Sequence, residues 1–561
     1  MKPLLNRSNR TRLVAWFGAV LLTTSLAACG EQKSPANTSS QTADSSTLSA
    51  SAASLQAHLE FLASDALEGR DTGSAGHEIA AQYIAAQFKQ LGLQPAGDDG
   101  TYYQRIQFRR SFLKENSATF SIDDGSEVVS LDYPKQFLTG PSVYSERDEI
   151  TAPLVFVGYG LVSDVFGIDD YAGLDVDGKI VVMLTGRPED LPSEEGAHLN
   201  SSKAKFAAER GAVGIITLHT PAREEVRPFE VSIMYQRAPT VRWLQPNGEP
   251  NVAYKNIAAS AYVHHEAGAR LFRNAPQSLN DIFAQMEAGE SPQGFDLNVT
   301  ASLTRESRHE EISSPNVAAI LPGSDPTLKD EYVLYTAHSD HIGITKDLSQ
   351  DDHINNGAMD NASGVSVMLE TARMFAEAET APKRSILFVS VTAEERGLLG
   401  ADYYAHNPTV PLSQIVANVN LDMPVLLYDF ADVIAFGSTH STLGNSVAQA
   451  AGEFGIELSE DPMPEQAIFT RSDHYPFVKK GVPAVFLMTG FTAKDEDQDG
   501  GQIWGEFFAE HYHQPSDQPS LPINYEAGVV FTNINYTIGR QVANTPERPR
   551  WLPESFFARL D

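Results

Sequence analysis

A single cysteine, Cys29, occurs in 561 residues. An exported chain with one thiol forms no intramolecular disulfide, so its stability must come from packing and from bound metal. Positive charge is also scarce: 41 Lys and Arg stand against 73 Asp and Glu, a formal charge of −32. Such acidity argues against nucleic acid and anionic lipid as partners, because both are bound through cations. The N-terminal apolar stretch, Leu13 to Leu22, is too short to span a bilayer. The chain contains no HExxH, GxSxG or GxxxxGK(S/T) string. That weighs against thermolysin-like, α/β-hydrolase and P-loop readings. No internal repeat is present.

What is present begins with a targeting segment. Lys2, Arg7, Arg10 and Arg12 precede the apolar stretch, which ends in Leu26-Ala27-Ala28-Cys29. This ending resembles the lipobox of bacterial lipoproteins, which implies cleavage before Cys29 and lipidation of its thiol. The alternative is an ordinary signal peptide with a chance cysteine. Gly30 follows the cysteine in place of the aspartate that retains such lipoproteins at the inner membrane. An exported protein on the outer membrane, facing periplasm or exterior, is therefore expected. Loss of residues 1–28 removes four positive charges and no acids, moving the formal charge from −32 to −36. Residues 29–54 are rich in Ser, Thr and Ala and read as a flexible tether.

About 500 residues remain, enough for two domains. Residues 55–93 read as two helices, with Ile79, Ala80, Tyr83, Ile84, Phe88 and Leu91 at helical spacing and Gly92 as the stop. Residues 142–273 have a different texture. Short apolar strands at 153–158, 178–184 and 214–218 stand between turn residues, with a helix near 204–208. No nucleophile or ligand cluster is visible there. After Ser313 the pattern alternates strand and helix. Strands are expected at 316–321, 332–337, 384–391, 415–420, 433–437 and 482–488, and helices at 362–378, 397–406 and 441–454. Near-continuous apolar strands in repeated βα units predict an α/β fold with a mostly parallel mixed sheet, covered by helices on both faces. Ligand sites in such sheets gather at the carboxyl ends of strands.

Every chemistry-bearing residue except His513 falls at such a strand end or in the loop after it. His338 closes one strand, with Asp340 two residues on as a candidate partner for its second ring nitrogen. Asp360 lies in a glycine-rich run where a carboxylate can bridge two cations; as a lone residue it also reads as a helix cap. Glu394 and Glu395 follow an apolar strand, so one can ligate while the other faces water. Asp422 ends another strand. His513 follows Tyr512, a candidate donor to an oxyanion, and His511 competes with it on composition. Imidazole and carboxylate suit zinc, and the set can hold two ions with a water between them.

The strings around these residues resemble one family, the co-catalytic zinc exopeptidases that include the bacterial secreted leucyl aminopeptidases (metallopeptidase family 28). They are ASDALEGR at 63–70, AHSDHIG at 337–343, NGAMDNASGV at 356–365, AEERGLLGADY at 393–403, NLDM at 420–423, RSDHYPF at 471–477 and YHQPSD at 512–517. The likeness spans about 55–543. Residues 142–273 are similar to a protease-associated (PA) domain, through GYG at 158–160, DVDGKIV at 175–181 and AAERGAVGII at 207–216. The resemblance implies a discontinuous peptidase domain, 55–141 with 274–545, an inserted PA domain acting as a lid or substrate guide, and a tail at 546–561.

Carried over by position, the resemblance implies two zinc ions held by His338, Glu395, Asp422 and His513, with Asp360 bridging. Glu394 becomes the general base, and Asp360-Asn361 is expected to be cis. It selects His513 over His511 and leaves His341 and His353 as non-ligands. The expected reaction is hydrolysis of the N-terminal peptide bond, with Tyr512 at the oxyanion and Arg471 near the substrate. A carboxypeptidase or glutaminyl-cyclase-like enzyme on the same fold stands as the alternative, and a binding protein without catalysis as a remote one. Peptide substrates, a membrane link only through Cys29 and a monomer complete the expectation.

Overall fold

The computed structural model describes residues 48–236, 238–345 and 351–560. The signal segment, Cys29 and residues 30–47 of the tether lie outside the described residues. Ordered structure begins before the expected end of the tether. Ser51 caps the helix Ala52–Leu62 by accepting the N–H of Ser54. The N–H groups of Ala50 and Ser51 donate to Asn533 Oδ1 at 3.0 Å and to Glu370 Oε1 at 2.6 Å. Leu55, Leu59 and Leu62 are buried beneath them.

The second expected helix is Ala75–Gln90. Its inner stripe is His77, Ala80, Ala81, Ile84 and Phe88. Ile79, expected on that stripe, is 44% exposed because it falls on the far side of a 3.6-residue repeat centred on these positions.

The main sheet has four parallel strands at its centre, in the order Ser385–Val391, Tyr332–His338, Ile415–Asn420, Ala484–Thr489. Antiparallel strands flank them: Asp432–Phe436 on one side, and Phe295–Leu321 followed by Tyr103–Leu113 on the other. Alternate residues of the central strands enter different cores. Ile386 and Phe388 join Tyr335, Phe88 and Met368 beneath one helix layer. Leu387 and Val389 join Tyr404 and Phe477 beneath the other. Burial on both faces is why these strands are largely apolar and carry no Asp, Glu, Lys or Arg. The mostly parallel mixed sheet is as the sequence led us to expect.

The expected strand 316–321 is only the end of Phe295–Leu321, a strand of 27 residues. Its first half belongs to a second sheet, where it pairs with Thr119–Asp123 and Arg147–Phe156. Arg147–Phe156, Ile180–Leu184, Gly214–Leu218 and Ala259–Val263 then run parallel in that order. This second sheet has its own core, with Phe120, Phe156, Leu218, Leu271 and Ile282 within it. It draws on chain either side of 142–273. The C-terminal segment packs against the main sheet's surroundings: the Arg550 N–H donates to Thr442 Oγ1, the Leu552 N–H to His440 O, and Phe557 is buried.

Candidate metal centre and substrate cleft

Three parallel strands end side by side, and the candidate residues leave from those ends. His338 is the last residue of Tyr332–His338, Glu394 and Glu395 follow Ser385–Val391, and Asp422 follows Ile415–Asn420. Asp360 sits in an irregular turn, Ala358–Ser363, ahead of the helix Gly364–Glu377, so it is not the helix cap. Its peptide bond to Asn361 is cis. Gly357, at φ +60°, opens this turn. A Cβ there would lie 2.2 Å from the Asp360 carbonyl and 2.7 Å from the His341 ring, so no other residue fits. His513 arrives separately, at φ +59° in the turn after the helix Gly500–Glu510.

The structure brings all six together. Asp360 Oδ1 lies 3.3 Å from His338 Nε2, and Asp360 Oδ2 lies 3.2 Å from His513 Nε2. His338 Nε2 is also 3.2 Å from Asp422 Oδ1 and 4.0 Å from Glu394 Oε2. His513 Nε2 is 3.1 Å from Glu395 Oε2. Geometry separates the two candidate histidines: His511 turns away and pairs with Ser516 Oγ at 2.9 Å.

Two assignments change, and a third residue is placed. His341, read as a bystander, faces the site: its Nδ1 is 2.6 Å from Glu395 Oε1, and its ligand atom groups with those of Asp360 and Glu395 within 4.8 Å. Asp340 was paired with the His338 ring, but its carboxylate lies 3.9 Å away and the ring meets the Asp340 backbone carbonyl at 3.1 Å. The carboxylate instead accepts the N–H of Glu394 at 3.1 Å, that of Glu395 at 3.4 Å and the Thr72 hydroxyl at 3.1 Å. It thereby fixes the glutamate pair. Tyr512 lines the cleft, stacks on His513 at 3.9 Å and accepts a hydrogen bond from Arg471 Nη2 at 3.1 Å.

Further residues support the centre without having been singled out. Arg70 is fully buried and donates to the carbonyls of Ser339, Asn356 and Gly357, tying the His338 loop to the Asp360 loop. Burial lowers its pKa to about 10. Asp517 accepts the N–H groups of Met359 at 2.9 Å and Asp360 at 3.1 Å. Ser472 donates to Asp422 Oδ2 at 2.5 Å. Asp473 is wholly buried, with neither carboxylate oxygen hydrogen-bonded among the described residues.

The electrostatics fit cations. Asp340, Asp360, Asp422, Asp473 and Asp517 are buried with the glutamate pair, against the guanidiniums of Arg70, Arg396 and Arg471. Concentrated negative charge in a buried site is costly unless it is neutralised. Burial pushes Glu394 well above the usual carboxylate range, and Asp422 and Glu395 add to this. Burial opposes charge on His338 and His513, yet Asp422 beside the first and Glu395 beside the second hold each imidazole well above its ordinary pKa. Those protons are what a divalent ion displaces when neutral imidazole ligates. His338, Asp360 and Asp422 can hold one ion, and Asp360, Glu395 and His513, with His341 in reach, another.

The cleft beside the centre is lined by Met423, Ile468, Phe486, Met488, Trp504 and Phe508 in addition to the site residues. The acidic run 495–499 has a structural use: Asp499 caps the helix Gly500–Glu510.

Imidazole–carboxylate clusters at parallel strand ends beside an apolar cleft form a site suited to divalent cations next to space for a ligand. Residues 316–537 match the model of peptidase family M28. The chain is similar to aminopeptidase YwaD of Bacillus subtilis, 24% identical over 81% of this chain and 77% of the relative. It is also similar to probable leucine aminopeptidase 2 of Aspergillus oryzae, 26% identical over 42% of this chain. The match spans 45% of that relative, so the chain covers less than half its length. Among solved structures, the aminopeptidase of Aneurinibacillus sp. strain AM-1 shares the fold, at 20% identity and a TM-score of 0.51, covering 89% of this chain and 95% of that one.

Asp517 holds the turn that presents Asp360. In Asp517→Asn one acceptor becomes a donor facing an N–H, so metal affinity should fall by about 10–100-fold. A competition titration against a chromophoric chelator measures it; affinity equal to that of the unaltered protein contradicts the role.

Proposed function

We propose that the protein is a zinc-dependent aminopeptidase that releases the N-terminal residue of peptides. The observation that carries this reading is Asp360, whose two carboxylate oxygens face separate histidine–carboxylate clusters at 3.3 and 3.2 Å. One zinc ion would be held by His338, Asp360 and Asp422, the other by Asp360, Glu395 and His513. Zinc bound there supplies Lewis acidity, lowering the pKa of a water toward neutrality and polarising the scissile carbonyl.

The chain's own groups do the rest. Glu394 lies beside the His338 cluster with its side chain 12% exposed and lines the cleft. It takes the water's proton and returns it to the leaving amine, a role worth about 10²–10⁴-fold. Arg471 occupies the Tyr512 oxygen as a donor, which leaves the phenol hydrogen free for the oxyanion. Burial raises the Tyr512 pKa, so the phenol keeps that proton. The apolar lining suits an uncharged apolar first side chain. Glu394→Gln should bind metal at the unaltered stoichiometry while turnover of an aminoacyl amide falls by at least about 10²-fold. Turnover within a few-fold of the parent removes Glu394 from the base role.

Arg471 keeps a carboxypeptidase in view, since it lines the cleft and offers a cation to a substrate carboxylate. Paired peptides decide. Loss of cleavage on N-acetylation but not on C-amidation is the aminopeptidase result, and the reverse pattern is the carboxypeptidase result.

The reading extends to export and lipidation at Cys29, and to a lid or guide role for the PA-like segment. No helix among the described residues is long and apolar enough to cross a membrane. Labelled fatty acid should enter the unaltered chain and not Cys29→Ser; equal labelling of both sinks the anchor.

A further inference from the structure

The second sheet assembles its own cluster at its carboxyl edge. Gly214–Leu218 and Ala259–Val263 are parallel neighbours with Leu218 level with Val263. The residues that follow, His219 and His264, therefore leave side by side, and the His219 N–H donates to Val263 O at 2.8 Å. His265 opens the short helix His265–Gly268, and Glu224 comes over from the helix Pro221–Val226. The ligand atoms of Glu224, His264 and His265 lie within 4.8 Å of one another. The sequence of this segment showed no such cluster.

We infer that Glu224, His264 and His265 form a second metal site, for one divalent first-row transition ion such as Zn²⁺. Two imidazoles and one carboxylate are a zinc-type donor set, whereas calcium and magnesium favour all-oxygen sites. The site is built for a cation rather than for mutual hydrogen bonding. His265 Nδ1 is buried and has no hydrogen-bond partner among the described residues, a costly condition that an ion relieves. The His264 and His265 rings stack 4.3 Å apart, side by side at the strand end.

His219 serves this cluster as an orienting residue. The Tyr262 phenol meets its Nδ1, and its Nε2 lies 2.6 Å from Glu224 Oε2. With the phenol donating to Nδ1, Nε2–H donates to the carboxylate and fixes it, as outer partners of metal ligands do. The Phe229 N–H adds a second donor to Glu224 at 3.0 Å. An ion here ties the helix Pro221–Val226 to the strand ends.

The site shares no residue with the peptidase centre, and the test keeps the two apart. The full chain is stripped with chelator, reloaded with Zn²⁺, and its metal counted per chain by mass spectrometry, with circular dichroism confirming the fold. Glu224→Gln and His265→Ala should each carry one ion fewer than the unaltered protein. Asp360→Ala should retain an ion that disappears when Glu224→Gln is added. Unaltered counts in both Glu224→Gln and His265→Ala overturn the site. A one-ion loss in those variants with no loss in Asp360→Ala keeps this site and removes the peptidase centre.

Discussion

Asp360 points its two carboxylate oxygens at two different histidines, and the rest of the peptidase sheet can be understood as the frame that makes this possible. The carboxylate cannot drift, because its own N–H and that of Met359 are held by Asp517. The loop behind it cannot drift either, because Arg70 takes the carbonyls on both sides of the junction between Asn356 and Gly357. Gly357 is present because any side chain would strike Asp360 and His341. Each of these is a hydrogen bond or a steric limit around one side chain. Together they preorganise a site whose carboxylates would otherwise repel one another.

The parallel sheet supplies position, and burial supplies the electrostatics. Strands covered on both faces end in a dry edge, where opposite charges act strongly and unpaired ones are costly. The Asp340 carboxylate shows how the two are linked. It is fully buried, burial raises its pKa to about 6, and it spends its acceptors on the backbone of Glu394 and Glu395. Glu394 and Glu395 are thus held through their backbone N–H groups by one buried carboxylate. Ser472 holds Asp422 by its carboxylate. The second sheet repeats the logic at its own carboxyl edge, where parallel neighbours deliver His219 and His264 to one point.

Much of this was legible in the sequence, for identifiable reasons. The central strands announce themselves because they are apolar without alternation. Of the six principal residues, His338, Glu394, Glu395 and Asp422 were legible because they follow strand ends, and Asp360 and His513 because they lie in strings shared with a known family. The length of Phe295–Leu321 was missed although its alternation of Leu297, Val299, Ala301 and Leu303 was present. Its polar middle, around Arg308 to Glu311, lies where the strand passes between sheets and broke the apolar run. His341 was missed because spacing cannot say which way a loop turns its second histidine. Arg70 was seen in its string, but its role depends on loops far along the chain. Glu224, His264 and His265 were invisible as a group because only the pairing of two parallel strands brings them together.

Anomalous X-ray scattering at the zinc edge, from crystals of the reloaded protein, addresses the central claim most directly. The account predicts two peaks roughly 3.5–4 Å apart, one beside each oxygen of Asp360, with His338 and His513 on opposite peaks. A single peak away from Asp360, or two peaks that both avoid its carboxylate, would contradict it.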